Sequence, residues 1–143
     1  MLPQIGDADV YDKINPEDLW CADKLILAKR LGYYCGPAGI APKPGKYIVR
    51  PITNLKMMGV GATVEYLDRD SIPDGYFWCE VFSGRHLCFD YNYGKQTLAV
   101  EGFKTNPHRL DRFSHWTRVS GTFELPPILQ TVADKYPWFN VEV

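Results

Sequence analysis

The chain has 143 residues, 45% of them hydrophobic and 14% aromatic, with 16 basic and 17 acidic side chains for a net charge of −1. That apolar content excludes a disordered chain, and the length suits one α+β domain spanning residues 1–143, with 1–14 as an N-terminal extension. The charge balance gives no electrostatic reason to expect a nucleic-acid partner, and it leaves room for a local basic pocket that takes a small phosphorylated ligand.

The elements follow from the pattern of apolar residues and breakers. Met1 to Asp12 has no apolar stretch of the kind a leader needs. No run in the chain approaches the ~18 apolar residues of a spanning helix. The expected compartment is therefore the cytoplasm, with no membrane partner. A helix is predicted from Pro16 to Leu31. Asn15 is the expected cap, Pro16 suits the first turn, and Gly32 stops the helix. Leu19, Trp20, Ala22, Ile26, Leu27 and Leu31 give it a wide face to bury.

Gly32 to Gly45 is rich in Gly and Pro and reads as a loop. Lys46–Pro51 is a strand, Asn54–Ala62 a glycine loop, and Ala62–Asp68 a second strand. Ser71 to Gly75 is a turn. Tyr76–Phe82 and Arg85–Tyr91 are strands separated by Ser83-Gly84, the spacing of a hairpin. A turn at Asn92–Lys95 leads to Gln96–Phe103, completing an antiparallel meander. Trp116–Val119 is a short strand, Pro126–Lys135 a second helix, and Trp138–Val143 a final strand. A chain that closes on an apolar strand is expected to continue in the natural protein. The fold class is α+β, an antiparallel hairpin sheet with helices packed on one face.

Three constellations could carry chemistry. Arg50 stands at the end of a strand, followed by the glycines of Met58-Gly59-Val60-Gly61-Ala62. A cation pairs with phosphate oxygens, and glycines let backbone N–H groups approach them. The same residues also suit an edge charge and a tight hairpin. Glu80-Val81-Phe82 ends an apolar strand whose backbone could hydrogen-bond a nucleotide base. A plain core hairpin explains it equally. The acidic residues Glu65, Glu80, Asp90, Glu101, Glu124 and Glu142 include candidates for Mg²⁺, which needs one or two carboxylates, although charge alternation on solvated strand faces also accounts for them. Four cysteines without a CxxC pair, Cys21, Cys35, Cys79 and Cys88, read as free and mostly buried thiols. If Cys79 and Cys88 face each other across the Ser83-Gly84 hairpin, a thiol or metal site with His86 is an option. The four tryptophans, Trp20, Trp78, Trp116 and Trp138, read as core.

The order of these pieces resembles the ATP-grasp proteins, including carboxylate–amine ligases and related open reading frames of marine phages. Asp23-Lys24 is similar to the Asp-Lys that opens the family's helix. Ile48-Val49-Arg50-Pro51 resembles the strand with the phosphate-binding Lys, here Arg. Gly59 to Ala62 is similar to the glycine loop, and Phe77 to Leu87 to the hinge strand that meets the base. Trp138 to Glu142 resembles the strand leading to the metal ligands. The resemblance implies ATP and Mg²⁺ as cofactors, with Lys24, Arg50, Gly59, Gly61, Glu80, Val81 and Phe82 at the nucleotide and Glu142 toward the metal. It implies a small-molecule or peptide substrate joined through an acyl phosphate. It also implies further metal ligands, a Glu and an Asn, beyond Val143. A chain without them fits a second reading, a non-catalytic structural or protein-interaction module that keeps the fold.

Overall fold

A computed structural model of the chain describes residues 11–53, 59–110 and 112–143. The N-terminal part of the expected extension, the start of the glycine loop through Met58, and Asp111 lie outside them. The chain divides into two compact units, Met1–Phe82 and Ser83–Val143. The fold is α+β, with a four-stranded antiparallel sheet in each unit.

The first unit opens with a 3-10 helix, Pro16–Cys21, and then α1, Lys24–Arg30. One continuous helix was expected over this stretch, and Asp23 is the reason there are two. Its backbone is extended, and its side chain accepts the Ile26 N–H at 2.8 Å, so it caps α1 and interrupts what precedes it. Asn15 makes no side-chain cap. The expected wide buried face is also reduced: Leu19 and Ile26 are exposed, and Ala28 is the one fully buried residue of α1. Lys29 and Arg30 do sit in the last turn, and Gly32 stops the helix at φ +81°.

Sheet A runs β1 (Cys35–Pro37), β4 (Tyr76–Glu80), β2 (Gly45–Pro51), β3 (Thr63–Leu67) in spatial order. β1 lies within the Gly- and Pro-rich stretch whose composition predicts a loop. Its Pro37 is tolerated because this is an edge strand, where one side of the ladder is open. Alternation along β2 and β4 sorts the side chains onto two faces. Tyr47, Val49 and Trp78 form a core with Leu67 and Ile72 on one face. Phe77 and Cys79 pack with Ala28 of α1 on the other, joined by Leu25, Cys35, Ile48 and Ile52.

Sheet B runs β7 (His115–Arg118), β6 (Lys95–Phe103), β5 (His86–Asn92), β8 (Phe139–Glu142), and α2 spans Pro127–Ala133. The β5–β6 hairpin is the expected one. Tyr93 and Gly94 have φ of 44° and 74°, the double positive φ of a two-residue turn matched to strand twist. α2 buries Leu129, Val132 and Ala133, and its Gln130 donates to the Gly94 carbonyl at 3.2 Å.

The expected hairpin across Ser83-Gly84 does not exist. β4 already has β1 on one side and β2 on the other, so no edge is left for β5. Ser83 does not take the positive φ that a two-residue turn of the Tyr93-Gly94 kind requires. Residues 81–85 instead carry the chain from sheet A to sheet B, and the three-stranded meander is replaced by two sheets. Cys79 and Cys88 therefore stand in different sheets, which removes the shared hairpin on which a thiol or metal site with His86 rests. All four cysteines are free, but Cys79 alone is buried. Of the four tryptophans Trp78 is core, whereas Trp116 and Trp138 are exposed.

Candidate functional site

Arg50 is the penultimate residue of β2 and is half-buried. Its Cα partner is Phe77, so its side chain shares the face that α1 covers. The backbone N–H of Lys24 donates to the Ile52 carbonyl at 3.0 Å, which pins the start of α1 to the end of β2. Lys24 and Arg50 thus belong to the same end of sheet A. Gly59 and Gly61 follow in the turn before β3, with φ of 78° and 79°. An added Cβ at Gly61 would stand 3.0 Å from the Tyr76 hydroxyl and 3.1 Å from Pro51 Cγ. Both the backbone conformation and the close approach call for glycine there.

Glu80 closes β4 beside Tyr47, on the face opposite to Arg50. Its Oε1 accepts the Tyr34 N–H at 2.9 Å, and its own N–H donates to the Tyr34 carbonyl at 3.0 Å. Glu80 is thereby held by β1's approach rather than turned outward. Val81 and Phe82 lie past the last ladder pair, Tyr47↔Glu80, and are 45% and 60% exposed. The Phe82 ring rests 4.7 Å from that of Tyr33. β2 and β4 are antiparallel, so Arg50 and Glu80 lie about 10 Å apart along the strands, at three residues of ~3.3 Å rise. The structure brings Lys24, Arg50, Gly59 and Gly61 toward one end of sheet A and Glu80, Val81 and Phe82 to the other.

Glu142 belongs to sheet B. Strand alternation places His86, Cys88 and Asp90 of β5 on one face with Asn140 and Glu142 of β8, since Cys88 pairs with Glu142 and Asp90 with Asn140. Asn140 Nδ2 donates to Asp90 Oδ1 at 2.6 Å and to Cys88 Sγ at 3.0 Å. His86 Nε2 lies 3.6 Å from Glu142 Oε2, and its ring packs against Phe113 at 4.5 Å. Asn140 was missed by sequence reasoning. The polar alternation in His-Leu-Cys-Phe-Asp and Asn-Val-Glu was the available signal. Among the described residues no three or more His, Cys, Asp or Glu gather as a metal site. On the other face, Arg85 pairs with Glu101 through Nε at 2.8 Å and Nη2 at 2.6 Å, and this holds the Glu101 carboxyl below its usual range. Of the remaining acidic residues, Glu65 pairs with Tyr47 in the β2–β3 ladder, and Glu124 lies outside the strands.

Among solved structures the chain is similar to D-alanine--D-alanine ligase from Bacillus anthracis, at 15% identity and a TM-score of 0.46. The match covers 85% of this chain and 52% of that one, so the chain spans about half the ligase's length. A likeness at that level assigns this chain neither a site nor an activity. No family model and no curated protein matches the sequence. No helix among the described residues is long and apolar enough to cross a membrane.

Proposed function

We propose that this chain binds ATP in the manner of the ATP-grasp proteins, as part of a carboxylate–amine ligase that activates its substrate as an acyl phosphate. One observation carries the reading. Val81 and Phe82 follow the last residue of β4 and begin the link between two antiparallel sheets, where the sequence resembles the family's base-binding hinge. Backbone groups beyond the last ladder pair are suited to a base edge, and that use does not depend on where the Glu80 side chain points. Arg50 and the positive-φ glycines near the far end of sheet A are the phosphate-binding part of the proposal, with Lys24 beside them.

Mg²⁺ is held through one or two carboxylates together with phosphate oxygens. Glu142 would supply one carboxylate, and Asp90 on the same face is already bonded to Asn140. Bound Mg²⁺ would neutralise charge on the phosphates. The described residues do not complete a site for it, and no transfer step is built on them.

The test is equilibrium binding of Mg·ATP to the chain and to its Arg50→Ala variant. Losing a charge-assisted contact of about 1.5–3 kcal/mol predicts roughly 10- to 100-fold weaker binding. Arg50→Lys keeps the charge without the guanidinium fork and is expected to fall between the two. Equal affinity in all three would remove Arg50 from the site. A second reading, a non-catalytic interaction module, is favoured by the exposed aromatic rings of Tyr66, Phe82 and Trp138. An intact fold that ignores ATP would favour that module.

A further inference from the structure

Cys35 and Cys79 are direct Cα partners on β1 and β4. The ladder hydrogen bonds fix which kind of pair they form. The Glu80 N–H donates to the Tyr34 carbonyl at 3.0 Å, and the Ala38 N–H donates to the Tyr76 carbonyl at 3.2 Å. Bonded pairs alternate with non-bonded ones in an antiparallel ladder. Cys35↔Cys79 falls between bonded pairs and is therefore a non-hydrogen-bonded one. Such partners stand about 4.5 Å apart at Cα, with their side chains on the same face and closest together. A disulfide accepts Cα separations of roughly 4.4–6.8 Å. Both thiols lie on the α1 face, Cys79 inside the small core with Ala28 and Phe77 and Cys35 packed against it.

We propose that Cys35 and Cys79 are a reversible dithiol–disulfide pair, a covalent modification site that joins β1 to β4 when a small-molecule disulfide such as oxidised glutathione is present. The proposal stands apart from the nucleotide reading. Cys35 is half-buried and Cys79 buried, so the oxidant meets Cys35 first. The charged groups that act on the pair are Lys29 of α1, Glu80 of β4 and Arg50 of β2. Burial holds the Cys35 thiol above its usual range, with Lys29 opposing and Glu80 adding, so the thiolate is a minor species of the pair. That thiolate attacks one sulfur of the oxidant and forms a mixed disulfide. The first glutathione leaves as thiolate and takes up a proton. Cys79, deprotonated in turn, attacks Cys35 Sγ, and the second glutathione leaves. One Sγ–Sγ bond forms, and two electrons and the two thiol protons end on the two glutathione molecules. Two small apolar side chains facing each other across a ladder would also pack well with no such chemistry, and the experiment separates the two.

The native chain is equilibrated with oxidised glutathione, its remaining thiols are alkylated after unfolding, and the products are mapped by mass spectrometry. The expected product lacks both thiols of this pair, weighs two hydrogens less, and contains one Cys35–Cys79 cross-linked peptide that dithiothreitol releases. In the Cys79→Ala variant, which keeps a small apolar side chain in the core, oxidation should stop at a single glutathione on Cys35. The main arm needs no substitution at the pair, so a poorly folding variant does not compromise it. Full alkylation of both thiols, or separate glutathione adducts on each without a cross-link, would overturn the proposal.

Discussion

Cys79 shows what one buried group does to pH dependence. Burial is the largest cause pushing its thiol from 9.0 up to about 11, with Cys35 and Glu80 adding and Arg50 opposing. The folded chain therefore keeps a proton that the unfolded chain releases between about pH 9 and pH 11. Stability from this group is full below about pH 9 and falls as pH rises to about 11, by on the order of 2 kcal/mol. Urea midpoints taken from pH 7 to 11 should be flat and then decline, and Cys79→Ala should make the decline shallower. Cys35 and Tyr47, whose pKa values burial also raises, leave a residual slope. Gly36 is a second residue whose chemistry is fixed by its neighbour. An added Cβ would stand 2.5 Å from Trp78 Cζ2, and Trp78 cannot easily retreat. Its indole N–H donates to the Ile40 carbonyl at 2.7 Å, and the Tyr34 and Tyr47 rings lie 5.0 and 5.2 Å away. Gly36→Ala is expected to cost about 1–3 kcal/mol in chemical denaturation, as overpacking does.

At the scale of elements, caps and free edges decide which local patterns survive. Asp23 satisfies an orphan N–H of α1, and Asp23→Ala should destabilise the first unit by about 1 kcal/mol, read as a lower urea midpoint. Loss of no stability would mean that the packing of Ala28 and Leu25 and the Lys24–Ile52 contact hold α1 without the cap. Apart from β1, the strands of both sheets were legible in the sequence to within a few residues, because alternation and turn chemistry are local. The Tyr93-Gly94 turn was legible for the same reason. The partner of β4 was not, because strand pairing is decided by residues far along the chain. β1 occupies β4's free side from about 40 positions away, and its Gly-Pro composition reads as loop. The split of the first helix was hidden for a related reason. Asp23 sits amid good helix formers, and its capping bond shows only once its own backbone is extended. Of the candidate site, the motif order was readable from sequence. The opposite faces of Arg50 and Glu80 followed only from register, and so did the grouping of Asp90, Asn140 and Glu142.

For the whole molecule, the account turns on whether the chain holds a nucleotide through the end of β4 and the Arg50 end of sheet A. The chain has the strand, glycine turn and linker in the order that the resemblance requires, with a cation at position 50. A net charge of −1 gives the overall field little pull on an anionic nucleotide, so the proposed site would rely on local groups such as Arg50. The most direct test is thermal denaturation of the chain with and without millimolar Mg·ATP, with Mg·GTP in parallel. A ligand that binds only the native state raises the midpoint by mass action, by the equivalent of about 2.7 kcal/mol at a hundredfold excess over Kd. The account predicts a rise with Mg·ATP that exceeds the rise with Mg·GTP and shrinks in Arg50→Ala. Midpoints that stay the same under all three conditions would contradict it.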